Sequence, residues 1–150
     1  MAKIDNNKAP AGSGTRYPSP HDVPCRQRSW LRLGDAAGLT QFGVNLVRLP
    51  PGAWSSQRHW HSHEDEFVYV LKGELVLVTD AGEELLHAGD SAGFKAGVRD
   101  GHCLQNRSAQ DAEFLVVGSR VEEDFGEYPD IDMMFLPGDG GFRRKDGSEF

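Results

Sequence analysis

The sequence predicts an all-β domain, an antiparallel sandwich or small barrel, on three observations. Short apolar or alternating runs recur between residues 29 and 117, with turn residues between them. No segment keeps a 3.6-residue apolar period over a dozen positions, which argues against a long helix. Glycine fills 18 of 150 positions, many of them between the runs, as a succession of tight turns requires.

Residues 1–24 read as a flexible arm, rich in Pro, Gly, Asn and Ser with few large apolar side chains to bury. The barrel domain follows over 25–150. Its expected strands begin with Ser29–Leu33 and Gly43–Leu49, the second stopped by Pro50-Pro51-Gly52. Ser56–His61 and Glu66–Leu71 come next, then Lys72-Gly73 turns the chain into Glu74–Thr79. Asp80-Ala81-Gly82 leads to Glu83–His87, and Ala88-Gly89-Asp90 to Ser91–Phe94. Asp100-Gly101 precedes His102–Asn106, and Glu113–Val117 closes the set. The C-terminal extension carries Met133, Met134, Phe135 and Leu136 among Pro and Gly, and is expected to cover a sheet edge or a partner subunit.

The length suits one domain with one sizeable core. Lys+Arg 16 against Asp+Glu 23 gives a net charge of -7, which repels a phosphate backbone, so no nucleic-acid partner is expected. Arg143, Arg144 and Lys145 form the one close basic cluster, and nearby Asp139 and Asp146 mark it as a solvated tail. No run of ~18 apolar residues and no apolar leader segment occur, so no membrane partner is expected. Two cysteines, Cys25 and Cys103, lie far apart and outside any Cys-x-x-Cys pair, which points to the reducing cytoplasm.

The stretch RHWHSHEDEFVYVLKGEL, residues 58–75, carries the chemistry. Residues two apart in a strand share a face, so His59 and His61 point together. Glu66 lies an odd number of positions after His61. The polar turn Ser62-His63-Glu64-Asp65 resets the phase and returns Glu66 to the histidines. Alternation then puts Val68 and Val70 on one face and Phe67, Tyr69 and Leu71 on the other, both expected to be covered. In the run His102–Asn106, the same rule groups His102, Leu104 and Asn106 and turns Cys103 away. Three imidazoles and a carboxylate in an apolar barrel suit one divalent transition metal. His63 remains an extra histidine, taken as solvated.

These residues resemble the two motifs of the cupin superfamily. Gly52, His59-Trp60-His61, Glu66 and Gly73 are similar to the first, and Gly89, Gly97, His102 and Asn106 to the second. The chain departs from the pattern at three places. Six residues separate Gly52 from His59 where five are usual, Lys95 replaces a proline, and four residues rather than two separate Gly97 from His102. The resemblance spans 52–106. It implies a single jelly-roll β-barrel holding one divalent metal per chain (Mn, Fe, Ni or Zn) through His59, His61, Glu66 and His102. It also implies a homodimer.

Function then divides between two classes. One is a metal-dependent enzyme (isomerase, lyase or dioxygenase type) acting on a small oxygenated anionic substrate. The other is a non-catalytic barrel that binds a metal or small molecule. Asn45, Lys95 and Asn106 are the candidates for holding that ligand, and Arg58 could attract an anion at the mouth. No catalytic residue beyond the metal set stands out.

Overall fold

The computed structural model describes residues 3–150, and among them strands dominate. In chain order these are β1 (Ala11–Ser13), β2 (Ser29–Arg32), β3 (Phe42–Leu49), β4 (Glu66–Lys72), β5 (Glu74–Thr79), β6 (Gly82–His87), β7 (Ser91–Phe94), β8 (Cys103–Gln105), β9 (Ala112–Ser119), β10 (Gly126–Tyr128), β11 (Met133–Phe135) and β12 (Phe142–Arg143). One short α-helix, α1 (Leu33–Ala36), follows β2, and two single turns of 3-10 helix, Asn6–Lys8 and Val23–Cys25, precede it. The strands form a six-stranded sheet in the order β1-β2-β3-β9-β4-β7, a three-stranded sheet β6-β5-β8, and a C-terminal sheet β10-β11-β12. Every strand pairing is antiparallel, the pattern short turns produce.

The first two sheets share one core. Leu49 of β3, Val68 and Val70 of β4 and Phe114 of β9 meet Leu75 and Leu77 of β5 and Leu104 of β8. Burying each large aliphatic side chain is worth roughly 1.5 to 3 kcal/mol, so this layer holds the two sheets together. Alternation on β4 is as expected, with Val68 and Val70 inward. Its other face is open, however: Phe67, Tyr69 and Leu71 remain 45%, 38% and 45% exposed. That overturns, within one chain, the expectation that both faces are covered: among the described residues nothing buries these three side chains.

The expected strand Ser56–His61 does not form. The segment instead makes one isolated bridge, His59 with His102, and Trp54 just before it makes another with Gln105. Its backbone is shared among neighbours: His102 N donates to His59 O at 2.9 Å, Trp60 N to Glu127 O at 3.3 Å, and Ser62 N to Phe125 O at 2.8 Å. Alternation brings His59 and His61 to one side even though no continuous ladder exists.

The C-terminal sheet closes over this segment rather than over a sheet edge. Met133 is fully buried, and the Phe135 ring centre lies 5.3 Å from that of His61. Gly126 permits the approach: a Cβ there would stand 1.9 Å from the carbonyl oxygen of Trp60. At the other end of the chain, β1 pairs with β2 although residues 1–24 are read as an arm without strands. Ala-Gly-Ser is too short and too small to carry a periodic signal. A Cβ on Gly12 would come within 2.5 Å of the Trp30 ring, so the indole lies directly against β1. No helix among the described residues is long and apolar enough to cross a membrane.

Candidate metal centre

His59 and His61 come from the bridged segment, Glu66 from the first position of β4, and His102 from the residue before β8. The turn Ser62–Asp65 brings Glu66 back to the histidines. Ser119 N donates to Asp65 O at 3.0 Å and Asp65 N to Ser119 Oγ at 2.9 Å, fixing the chain as it enters β4. The imidazole and carboxylate atoms then converge. His59 Nε2 lies 3.1 Å from His61 Nε2, His61 Nε2 lies 3.6 Å from Glu66 Oε2, and His102 Nε2 lies 3.3 Å from Glu66 Oε1. His59, His61 and Glu66 form a group able to hold one ion, and His102 adjoins it through Glu66. Donors bound to one ion at ~2.1 Å, at angles of about 90° to 110°, stand roughly 3.0 to 3.4 Å apart. The residues present therefore fit a divalent transition metal.

The far side of each ring is also specified. His59 Nδ1 lies 2.9 Å from the Gln57 carbonyl, to which it donates, and His61 Nδ1 lies 2.7 Å from Asp124 Oδ2. Such partners hold a histidine with its other nitrogen turned to the metal. The His102 ring stacks on Phe94 at 3.6 Å and 3°, while its buried Nδ1 has no hydrogen-bond partner. Burial, reinforced by the neighbouring His102 and His61 imidazoles, pushes His59 down to about 3, so it is neutral. For His61, burial opposes the charged form, but Glu66 and Asp124 outweigh it and push it up to about 9. Burial likewise opposes ionised Glu66, yet His102 and His61 hold it well below the usual carboxylate range. A cation entering this cluster would displace the His61 proton.

Asp124 is the residue that sequence reasoning missed. It is 6% exposed and collects His63 N at 2.8 Å, Ser62 Oγ at 3.2 Å and Glu64 N at 3.3 Å on Oδ1, with His61 on Oδ2. Glu64 accepts Val121 N at 2.8 Å and is raised by burial. No periodicity links residues 61 and 124, so nothing in the sequence could have paired them.

Of the predicted ligand-holding residues, Asn45 lines a cavity of about 380 Å³ that also contains the four metal-capable side chains. Its Oδ1 is buried without a partner. Lys95 borders a second cavity, about 220 Å³, beside His61 and His102. Asn106 must be reassigned. Its Nδ2 donates to Leu49 O at 2.8 Å and Gln110 O at 2.7 Å, and its Oδ1 accepts from Ser108 N and Oγ. Both ends of the amide are occupied by the turn, and none of it faces the cavity. Arg58 is held by Asp130 and Asp80, so it is a structural ion pair rather than an anion trap. His63 is exposed and bonded to Ser62 Oγ, turned away from the cluster. Cys25 and Cys103 are buried and unbridged, and burial pushes both thiols up to about 11.

A family model for the cupin domain matches residues 45–118. The chain is 49% identical to a sugar phosphate isomerase of the cupin superfamily from Silicibacter pomeroyi DSS-3. The two superpose with a TM-score of 0.94 over 99% of this chain and 96% of that one. A candidate sugar phosphate isomerase from Acidithiobacillus ferrooxidans is 31% identical, with a TM-score of 0.73 over 78% of this chain and 74% of that one. A predicted oxalate decarboxylase from Thermotoga maritima, 23% identical with a TM-score of 0.62 over 80% of this chain and all of that one, shares the fold. No curated protein matches.

Proposed function

Because the chain belongs to the cupin superfamily, we propose that it is a metal-dependent isomerase acting on a small oxygenated anion. The observation that carries this reading is the convergence of His59, His61 and Glu66, with His102 against Glu66, at the wall of a half-open cavity. These four would hold one divalent metal (Mn, Fe, Ni or Zn). The metal, when bound, supplies a Lewis acid that polarises a carbonyl or hydroxyl oxygen of the substrate. Both isomerase relatives among the comparisons favour this reaction over lyase or dioxygenase chemistry.

The chain's own residues supply the rest. Gln57 O and Asp124 hold the His59 and His61 rings, and Phe94 holds His102. Val68, Phe114 and Val116 give the cavity an apolar stretch of wall beside these polar groups. Asn45 Oδ1, buried and unpartnered, is placed to accept a hydrogen bond from a substrate hydroxyl. Lys95 would meet an anion entering from the second cavity.

A second reading, a barrel that binds its ligand without turning it over, has one observation in its favour. Apart from the proposed metal ligands, the proton-exchanging groups on the cavity wall are Tyr17, pushed up to about 12 by burial, and Cys103. Neither is a base near neutrality.

We further assign the protein to the cytoplasm, supported by its unbridged buried thiols, and to a homodimer formed through the open face of Phe67, Tyr69 and Leu71. The test is metal analysis of untagged protein, followed by proton exchange of aldose and ketose phosphates in deuterated water, monitored by NMR. Exchange that disappears with the metal in His59→Ala and His102→Ala supports the isomerase. Bound metal and bound sugar phosphate without exchange would favour the second reading.

A further inference from the structure

We propose that Arg16, Arg28 and Arg32 form a subsite for the phosphate group of the substrate, around the space that adjoins the cavity of the metal cluster. This rests on the reading of that cavity as a substrate site. The chain carries a net charge of -7, and its arginines mostly find carboxylates: Arg48 with Asp111, Arg107 with Glu83, Arg120 with Asp35. Apart from Arg99, which lies over Trp60, and Arg144, which lies over Phe150, the arginines without such a partner among the described residues are Arg16, Arg28 and Arg32. All three gather at one place. Arg28 and Arg32 line the cavity that holds the metal cluster, and they join Arg16 around an adjoining cavity of about 420 Å³. Glu66, itself a proposed metal ligand, is the single acid among the residues lining these two spaces. A positive mouth on an acidic protein selects an anion.

The arrangement is built rather than incidental. Arg28, Trp30 and Arg32 alternate along β2 and its approach, so all three lie on the cavity side of the sheet, Arg28 and Trp30 half-buried and Arg32 exposed. Arg28 is pinned: Nε donates to Gly14 O at 2.8 Å, Nη1 to Ser55 O, and the guanidinium lies 5.2 Å from the Trp30 ring centre. The donors on Nη2 remain for a ligand. Arg32 pairs across the sheet with Asn45, Asn45 with Val116, and Val116 with Val68. At ~4.8 Å per strand, Arg32 and Val68 are about 14 Å apart along the sheet, with Glu66 two residues further on. Guanidinium groups recognise phosphate by paired, charge-assisted hydrogen bonds, and more than one arginine suits a dianion.

The test is calorimetric titration of purified protein with inorganic phosphate, before and after a chelator removes metal. Saturable binding to both forms is expected. Arg32→Ala and Arg16→Ala, at exposed positions that the fold tolerates, should each weaken it about tenfold while metal content and melting stay as in the parent. Binding that vanishes on chelation, or that both variants leave unchanged, overturns the proposal. The sugar phosphate assay separates the two readings. Phosphate bound by the arginines with no turnover sinks the isomerase and leaves the subsite. Turnover in which Arg32→Ala slows phosphorylated and unphosphorylated sugars alike sinks the subsite and leaves the isomerase.

Discussion

Asp124→Asn should weaken metal binding tenfold to a hundredfold while leaving the fold in place. In the parent, Asp124 Oδ2 accepts from His61 Nδ1 at 2.7 Å, and Oδ1 accepts from His63 N, Ser62 Oγ and Glu64 N. An asparagine has the same shape. Its single oxygen can keep the Oδ1 contacts, which turns its NH₂ toward His61 Nδ1. Two donors then face each other, and the imidazole relieves the clash by moving its proton to Nε2, the atom that should carry a free lone pair toward the cluster. Loss of such an orienting carboxylate typically costs 10- to 100-fold in metal affinity, about 1.4 to 2.7 kcal/mol. Asp124→Ala differs, because it also removes the acceptor of His63 N, Ser62 Oγ and Glu64 N in a partly buried turn and adds about 0.5 to 1.5 kcal/mol of destabilisation. Competition with a chromophoric chelator measures affinity, and denaturant unfolding of the metal-free proteins measures the fold. An Asp124→Asn protein that binds metal within twofold of the parent would show that this hydrogen bond does not orient His61.

Other outcomes follow from the packing and the charges. Leu75→Ala empties a position 1% exposed between the sheets and should cost about 2 to 5 kcal/mol by denaturant unfolding. Asn106→Ala should destabilise by about 1 to 3 kcal/mol, through the orphaned Leu49 carbonyl, with ligand affinity unchanged in the folded protein. Asp130 is held below the ordinary carboxylate value by the Arg58 guanidinium, so its contribution is present above about pH 4 and fades as pH falls through its folded-state value. With the side chain 60% exposed, solvent screening keeps that share to about 1 kcal/mol or less. Acid unfolding should therefore show Asp130→Asn less stable than the parent near pH 6, with the gap closing toward pH 2.

Strand alternation made much of this molecule legible in advance. The inward set Val68 and Val70, and the return of Glu66 to His59 and His61 after a polar turn, follow from a period of two. His102 was reached by the same parity, from the other sheet. What escaped has a common cause: contacts made by segments too short or irregular to have a period. β1, β10, β11 and β12 each span three residues or fewer. The bridged segment around His59 is extended without being a strand. Asp124 meets His61 across 63 positions through a loop. The inward row of Arg28, Trp30 and Arg32 was readable in principle, because it alternates, but it adjoins a stretch whose composition reads as an arm. Asn106 erred the other way, since a buried amide in a turn and a ligand-binding amide look alike in one dimension.

Gly126 bears on how related chains could be compared. With no room for even a methyl group beside the Trp60 carbonyl, any other residue there must lift the C-terminal sheet from the histidine-bearing segment. A relative could then keep all the metal-capable side chains and still enclose them differently, with Phe135 no longer against His61. Glycine at this position is therefore a marker of site enclosure that the ligand residues themselves do not provide. Sorting relatives by it would separate chains that share this chamber from chains that share only its histidines.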